Sequence, residues 1–366
     1  VSDELRADFV LRYPQGAVIQ AELRQPAAGF SVTTLFGPSG CGKTTVLRSL
    51  AGLARPQEGI IQIANEVWLD AGRGVYRLPQ QRNVGYLFQD YALFPHCTVA
   101  ENIGFGLRKV TSSERKQRVG ELLERFGLAD LARCYPHQVS GGQQQRIALA
   151  RSLARRPRLL LLDEPLSALD AVLREELRSQ LRRILAEFDI PVVLVTHDRT
   201  EAIAVSDQIV VMEAGKILQS GPVEEVFSRP RDAAVARIVG VETVLSGEIE
   251  SIAEGLATVR VGGRTLLAVA PAEECRFVHV CIRGEEVTLQ RGRHEDLSVR
   301  NQLPGTVKWL SPEGALVRVG VDCGFELAAL VTRSACEQLQ LAVCSDVTAA
   351  IKAPSIHLTS RREATR

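Results

Sequence analysis

No stretch of this chain is apolar for long enough to cross a bilayer, the longest unbroken leucine run being the four residues at 159–162. Its eight cysteines (Cys41, Cys97, Cys134, Cys275, Cys281, Cys323, Cys336, Cys344) form no Cys-x-x-Cys pair and no metal-like Cys/His spacing. That argues against a dithiol or zinc centre and for a reducing compartment. Charge of one sign is also missing. With 44 Lys and Arg against 43 Asp and Glu, the formal net charge is +1, so nothing draws the whole chain to nucleic acid or anionic lipid. The opening segment "VSDELRADFV" has no basic stretch ahead of an apolar core, as a secretory signal would. These absences lead us to expect a soluble, cytosolic protein that recognises its partners locally and reaches a membrane only through other subunits.

What is present is enough for several cores. A length of 366 residues implies two or three domains, and 24% charged with 45% apolar residues is ordinary for globular protein. Up to about residue 235, strand-like runs ("SVTTLFG", "RLLLLDE", "IPVVLVT", "SDQIVVME") alternate with helical periodicity ("TTVLRSLAGL", "RIALARSLARR"), which predicts a mostly parallel sheet flanked by helices. From about residue 244 the texture changes to short alternating segments separated by Gly, Pro and acidic turns, as small β-barrels have. This second region repeats itself. Leu245, Gly247, Val259, Arg260, Val261 and Gly262 recur at an offset of 58 as Leu303, Gly305, Val317, Arg318, Val319 and Gly320, and "VHVCIRGEEVTL" recurs at an offset of 69 as "VTAAIKAPSIHL". Two versions of one barrel unit are expected, the second with an insertion near "TRSACEQLQLA".

"GPSGCGKT" at 37–44 fits G-x-x-x-x-G-K-[ST] between a strand-like and a helix-like run. Gly37, Gly40 and Gly42, with Pro38, Ser39 and Cys41 between them, let backbone N–H groups curl around phosphate oxygens. Lys43 supplies a point charge, Thr44 a ligand for Mg²⁺, and the helix that begins here, with Thr45 in its first turn, turns its positive end to the anion. "RLLLLDEP" then carries Asp163 and Glu164 at the end of a buried strand. Asp163 is placed to hold Mg²⁺ and Glu164 to act as general base on an attacking water. "VSGGQQQR" puts Ser140, Gly141, Gly142 and Gln143 at a second helix amino terminus, and so at a second anion site.

These three segments together resemble the ABC-type ATPases. The resemblance covers about 235 residues, and the remaining elements follow in family order: Tyr13 as the aromatic that stacks on adenine, Gln89 in "GYLFQD" as the Q-loop glutamine and Mg²⁺ contact, "SALD" at 167–170 as the D-loop, and His197 in "LVTHD" as the switch histidine. The resemblance implies catalysis by Glu164, His197 and Gln89, with ATP and Mg²⁺ bound, and a homodimer in which the signature of one chain closes over the P-loop of the other. "YALFPHCTVAENIGFGL" at 91–107 is similar to the importer surface that receives a permease's coupling helix, with Phe94, Pro95 and His96 expected as exposed contacts.

The segment "SVRNQLPG" from Ser298, with "IKAPS" near the end, resembles the molybdate-binding Mop (TOBE-like) barrel, departing from it at Val299 and Pro354. Ser298, Arg300 and Lys352 supply the hydroxyl and cations that a tetrahedral oxyanion needs, and the Thr332–Ser334 turn offers a further helix amino terminus. The first repeat, reading "TVLSGEIE", lacks this start.

The expectation is therefore an α/β P-loop ATPase domain of the ABC type over 1–235, with a helical subdomain at about 90–155. All-β OB-like units follow over 236–293, linker included, and 294–360. The implied function is the ATP-hydrolysing subunit of a molybdate or tungstate importer, peripheral on the cytoplasmic face of the membrane. Its partners are integral permease subunits and, through them, an extracytoplasmic binding protein, with no nucleic acid. Importers of sulfate/thiosulfate, ferric iron or polyamine are the related alternatives, and an oxyanion sensor or storage protein with a subsidiary ATPase is the alternative of another class.

Overall fold

In the computed structural model, which describes residues 3–107, 110–167, 171–271, 275–292 and 298–360, the chain divides into two units, Val1–Glu224 and Glu225–Arg366. The first is built on a sheet whose strands are, along the chain, β1 (Glu4–Arg12), β2 (Val18–Pro26), β3 (Ser31–Phe36), β4 (Glu58–Ile63), β5 (Glu66–Asp70), β6 (Val75–Tyr76), β7 (Val84–Leu87), β8 (Leu159–Asp163), β9 (Pro191–Thr196), β10 (Gln208–Glu213) and β11 (Lys216–Pro222). Across the sheet they are ordered β6-β5-β4-β1-β2-β11-β10-β3-β9-β8-β7. The stretch from β10 to β7 is parallel, as the alternation of strand and helix in the sequence requires, while β1, β2, β4, β5 and β6 pair antiparallel.

Strand β8 shows why the central strands read as unbroken apolar runs. Side chains alternate between faces, so Leu160 and Leu162 enter one core together with Ile103, Leu122, Leu149 and Leu181, while Leu159 and Leu161 enter the other with Leu5, Phe9, Leu47 and Leu50. The first of those cores is covered by α2 (Val99–Gly104), α3 (Ser112–Arg125), α4 (Gly141–Leu153) and α5 (Ala171–Ala186), the second by α1 (Lys43–Ala51) and the antiparallel strands. Each of α2, α3 and α4 begins at a hydroxyl residue, Thr98, Thr111 or Ser140, in a reciprocal capping box with Glu101, Glu114 or Gln143. A further short helix, α6 (Arg199–Val205), follows β9 after two residues.

Helix α1, which carries the phosphate-loop lysine, is fixed at its far end by Arg82. This guanidinium, 1% exposed, donates to the carbonyls of Ser49 (2.7 Å), Leu50 (2.9 Å) and Arg77 (2.9 Å), and lies over the rings of Trp68 and Tyr76. Burial lowers its pKa to about 10, so it remains a cation at neutral pH.

The second unit begins within α7 (Val223–Ser228) and continues through α8 (Ala233–Ile238) into strands β12 (Thr243–Ala253), β13 (Leu256–Val261), β14 (Arg264–Val269), β15 (Phe277–Ile282), β16 (Thr288–Gln290), β17 (Asn301–Glu313), β18 (Leu316–Asp322), β19 (Glu326–Thr332), β20 (Asp346–Ile351) and β21 (Ile356–Ser360), with α9 (Arg333–Gln338) in the insertion of the second repeat. The repeat holds to the residue. Leu245 faces Val280 and Gly247 faces Val278 in β12/β15, and their counterparts Leu303 and Gly305 face Ala349 and Val347 in β17/β20.

The final strand of each repeat, however, pairs with the other copy. β16 lies on β20, with Leu289 opposite Ala349, and β21 lies on β15, with Leu358 opposite Val280. The sheets are thus β14-β13-β12-β15-β21 and β16-β20-β17-β18-β19, interlocked by a reciprocal exchange, and one core cluster runs through both.

Candidate functional site

Between the end of β3 at Phe36 and the start of α1 at Lys43, the chain folds back over the phosphate-loop residues. Two of its glycines have no substitute. Gly37 has φ +155°, and a Cβ there would lie 2.2 Å from the Met212 carbonyl oxygen; Gly42 has φ +107°, and its Cβ would lie 2.5 Å from Ile19 Cδ1. Lys43, only 5% exposed, sends Nζ back to the carbonyls of Gly37 (2.8 Å) and Pro38 (2.9 Å), bracing the loop from inside. Cys41 is buried beneath it as filler.

A cavity of about 610 Å³ opens over this loop. Ser39, Gly40, Gly42, Lys43, Thr44 and Thr45 line it from one side, and Gln89, Glu164, Ser167 and His197 from the other. The Thr44 hydroxyl donates to Asp163 Oδ1 at 2.9 Å, joining the first turn of α1 to the end of β8. Glu164 follows in left-handed backbone (φ 46°), its N–H held by the Val195 carbonyl at 3.0 Å. Such a conformation costs a non-glycine residue about 1–3 kcal/mol. It also turns the carboxylate out of the strand and into the cavity, where Gln89 Nε2 reaches Oε2 at 3.2 Å and His197 Nδ1 lies 3.1 Å from Oε1. An ionised carboxylate only accepts, so Nδ1 carries the imidazole proton in this arrangement.

Asp163 is 4% exposed, and burial raises its pKa against the hydrogen bonds of Thr44 and Tyr86 and the charge of Arg48. Tyr86, in β7, donates its hydroxyl to Asp163 Oδ2 at 3.0 Å, and burial together with that carboxylate holds the phenol above its ordinary pKa. Reading along the chain missed Tyr86. The alternation of "VGYLF" gave a signal for the strand but none for what the ring would meet across it.

Of the other anticipated residues, Tyr13 is 39% exposed and lies at the margin, its hydroxyl 3.3 Å from Thr45 Oγ1. Ser140, Gly141, Gly142 and Gln143 form the first turn of α4, where the Ser140 hydroxyl accepts from the Gln143 N–H at 3.3 Å, and none of them lines the cavity. Of the 167–170 segment only Ser167 is among the described residues. On the surface after Gln89, Pro95 and His96 are exposed, but Phe94 is half-buried against Phe105, with ring centroids 4.1 Å apart, and under the Arg151 guanidinium. Arg151 also donates to the carbonyls of Tyr91 and Ala92, both at 2.7 Å, fixing two residues with positive φ.

In the second unit, the pairing of β17 with β20 sets Asn301 opposite Ile351, so that Arg300 and Lys352 occupy the next positions outward, both exposed, with Ser298 exposed two residues earlier. Asn301 itself is buried. Its side chain accepts from the Leu267 N–H (2.7 Å) and donates to the carbonyls of Leu267 (2.9 Å) and Ile351 (3.2 Å), tying the two repeats together. At the corresponding place in the first repeat, Glu242 stands where Arg300 would, accepting from the Gly284 N–H at 3.0 Å and pairing with Arg318 at 3.2 Å. The hydroxyl of Thr332 is taken up in capping α9, where it accepts from the Ala335 N–H at 3.1 Å.

Known proteins share both regions. A family described as ABC transporter matches residues 28–167, and the TOBE domain matches 297–358. A molybdenum import ATP-binding protein, ModC, of Pseudomonas savastanoi is 36% identical over 354 residues, covering 94% of this chain and 97% of that protein. An Fe(3+) ions import ATP-binding protein, FbpC, of Pseudomonas fluorescens is 47% identical over 247 residues, 67% of this chain and 68% of that one. Among solved structures, a dimeric ATP-binding cassette in a post-hydrolysis state with ADP and Pi superposes with a TM-score of 0.50 at 30% identity, covering 60% of this chain and 98% of its own.

Proposed function

The chain belongs to the ABC transporter ATP-binding proteins, and from that premise we propose that it hydrolyses ATP to drive an importer of molybdate or its close analogue tungstate. The observation that carries the enzymatic part is the convergence of the braced phosphate loop, Asp163, Glu164, Gln89 and His197 on one cavity. The triphosphate lies along the backbone N–H groups of the loop and the amino-terminal end of α1, with Lys43 adding its charge. Glu164 takes the proton of a water attacking the γ-phosphorus as the bond to the β,γ-bridging oxygen breaks and ADP leaves, while Gln89 and His197 hold the two oxygens of the Glu164 carboxylate.

The donor set also suits a small hard cation. The Thr44 hydroxyl and the Asp163 carboxylate lie together, and Gln89, which donates with Nε2, keeps its amide oxygen as a ligand. Mg²⁺, if held by Thr44, Asp163 and Gln89, would supply charge neutralisation to the bound phosphates. Because the Ser140–Gln143 turn lines no part of the cavity, a complete site takes that turn from a second copy, giving a head-to-tail homodimer with two nucleotides between its chains. Permease subunits dock on the 91–107 surface, which places the dimer on the cytoplasmic face of the membrane and in line with an extracytoplasmic binding protein.

For the cargo, support comes from the length of the match to the molybdenum relative, 94% of this chain, whereas the iron relative's higher identity reaches 67%. Support comes too from the second repeat, where Arg300 and Lys352 lie one residue beyond the paired Asn301 and Ile351, with Ser298 two residues before Arg300, a hydroxyl and two exposed cations that suit an oxyanion. A carboxylate at Glu242 repels an anion from the equivalent place in the first repeat, so the stoichiometry is one oxyanion per chain. Calorimetric titration of the full chain with molybdate, tungstate, sulfate and phosphate tests this. Saturation at one molybdate or tungstate per chain, lost in Arg300→Ala, is the expected result, and no binding of either anion refutes the oxyanion site. Import is tested by uptake of labelled molybdate in cells lacking the chain; unchanged uptake refutes the cargo.

A further inference from the structure

The imidazole of His197 is 55% exposed, so packing does not fix it, yet it must stand within hydrogen-bond reach of Glu164. Its place is set by the backbone of the short connection between β9 and α6, and that connection closes on one buried carboxyl group. Glu201, on the first turn of α6 and 3% exposed, accepts the Thr196 hydroxyl at 2.6 Å through Oε2. The same Thr196 oxygen accepts the Asp198 N–H at 3.0 Å, and Asp198 Oδ1 accepts the Glu201 N–H at 2.9 Å. Asp198 is tied outward to Arg178 at 3.3 Å. The residues before and after His197 are therefore both held in a ring of three hydrogen bonds whose only buried acid is Glu201.

We propose that Glu201 is a positioning residue for ATP hydrolysis: by accepting the Thr196 hydroxyl it fixes the peptide units on either side of His197 and so sets the imidazole against Glu164. The inference rests on reading the cavity as the hydrolytic site. A carboxyl group is an expensive way to fill this space, since burying one costs far more than burying leucine unless its bonds are used. Glu201 Oε1 has no hydrogen-bond partner among the described residues, so the Thr196 hydroxyl is the one side-chain hydrogen bond this carboxyl accepts there. It does not touch the phosphate loop, Asp163 or Gln89, and nucleotide binding should be indifferent to it.

Steady-state ATPase kinetics of the full chain and its variants test the proposal, with nucleotide binding and thermal melting as checks on folding. Glu201→Leu should lower kcat at least tenfold while leaving the KM for ATP within twofold. Glu201→Gln keeps a carbonyl acceptor and should restore kcat to within threefold of wild type. Thr196→Val, which also removes the acceptor of the Asp198 N–H, should lower kcat at least as much as Glu201→Leu, and the double variant should be no slower than Thr196→Val alone, because the Thr196–Glu201 bond is already gone from it. Thr196→Val also decides the matter where Glu201→Leu does not fold. Wild-type kcat in Thr196→Val or Glu201→Leu, equal losses in the Leu and Gln variants, or multiplying losses in the double variant would overturn the inference. Absence of ATP hydrolysis by the wild-type chain overturns instead the reading of the site, and the inference with it.

Discussion

Replacing Tyr86 with Phe removes one oxygen atom and leaves the ring in its place beside Phe88, with centroids 4.5 Å apart. That oxygen donates to Asp163 Oδ2 at 3.0 Å, and Asp163 is 4% exposed, so no bulk water stands ready to replace it. A hydrogen bond to a charged group is worth about 1.5–3 kcal/mol. Losing a partner that orients a metal-ligating group typically costs about 10–100-fold in metal affinity or activity. At 1.36 kcal/mol per factor of ten, that corresponds to about 1.4–2.7 kcal/mol, so the two estimates agree. Tyr86→Phe should therefore raise the Mg²⁺ concentration that half-saturates ATP hydrolysis by about 10–100-fold. It should also lower the melting temperature without nucleotide, because Asp163 Oδ2 loses its donor. The measurement is ATPase rate against free Mg²⁺ at saturating ATP, beside a melt in a metal chelator. A half-saturation point within twofold of wild type, with an unchanged melt, would refute the reasoning, because the bond would then neither orient Asp163 nor stabilise it.

Glu164→Gln should retain ATP binding and reduce kcat by about 10²–10⁴-fold, the usual worth of a general base, and single-turnover hydrolysis at the wild-type rate would remove Glu164 from that role. Glu201 gives a pH dependence of stability. Burial raises its pKa from 4.5 to about 7, with Asp198 adding to the shift and Thr196, Arg178 and Arg174 opposing it, while Tyr91 lies close by. The folded chain thus holds a proton that the unfolded chain releases. The stability this contributes is complete below pH 4.5 and lost as pH rises through 7, a swing on the order of 3 kcal/mol. Denaturant titrations should show Glu201→Gln gaining on wild type across that window, and a constant difference would show that the group does not titrate there. Arg300→Glu should abolish molybdate binding by the full chain while leaving its ATPase activity without oxyanion unchanged, as calorimetry and phosphate release would report.

Residues whose work is local were legible in the sequence. The phosphate loop is contiguous, and its glycines announce the turn that Gly37 and Gly42 make. The Leu-rich strand announces a buried carrier for Asp163 and Glu164, and Ser140 with the two glycines after it reads as a helix amino terminus. What was not legible depends on neighbours across the sheet. Tyr86 reaches Asp163 because β7 lies beside β8, and Phe94 is half-buried, where an exposed contact was expected, because Phe105 and Arg151 come to it from other elements. The strand exchange was hidden for another reason. Two copies of one pattern offer β16 and β21 equivalent edges, so the repeat shows what each strand can pair with and leaves open which copy it joins.

That exchange bears on how the chain is made. β15 has left the ribosome while β21, roughly 70 residues further on, is still to be translated, an interval of about 4–15 s at 5–20 residues per second. Throughout it the edge of β15 that β21 will cover is open, and the late strand of any neighbouring nascent chain carries the same "IHLTS" as the proper one. On a crowded polysome the first barrel therefore chooses between its own tail and another's. Dimers joined through that strand are the misassembly that fast translation and dilution should suppress.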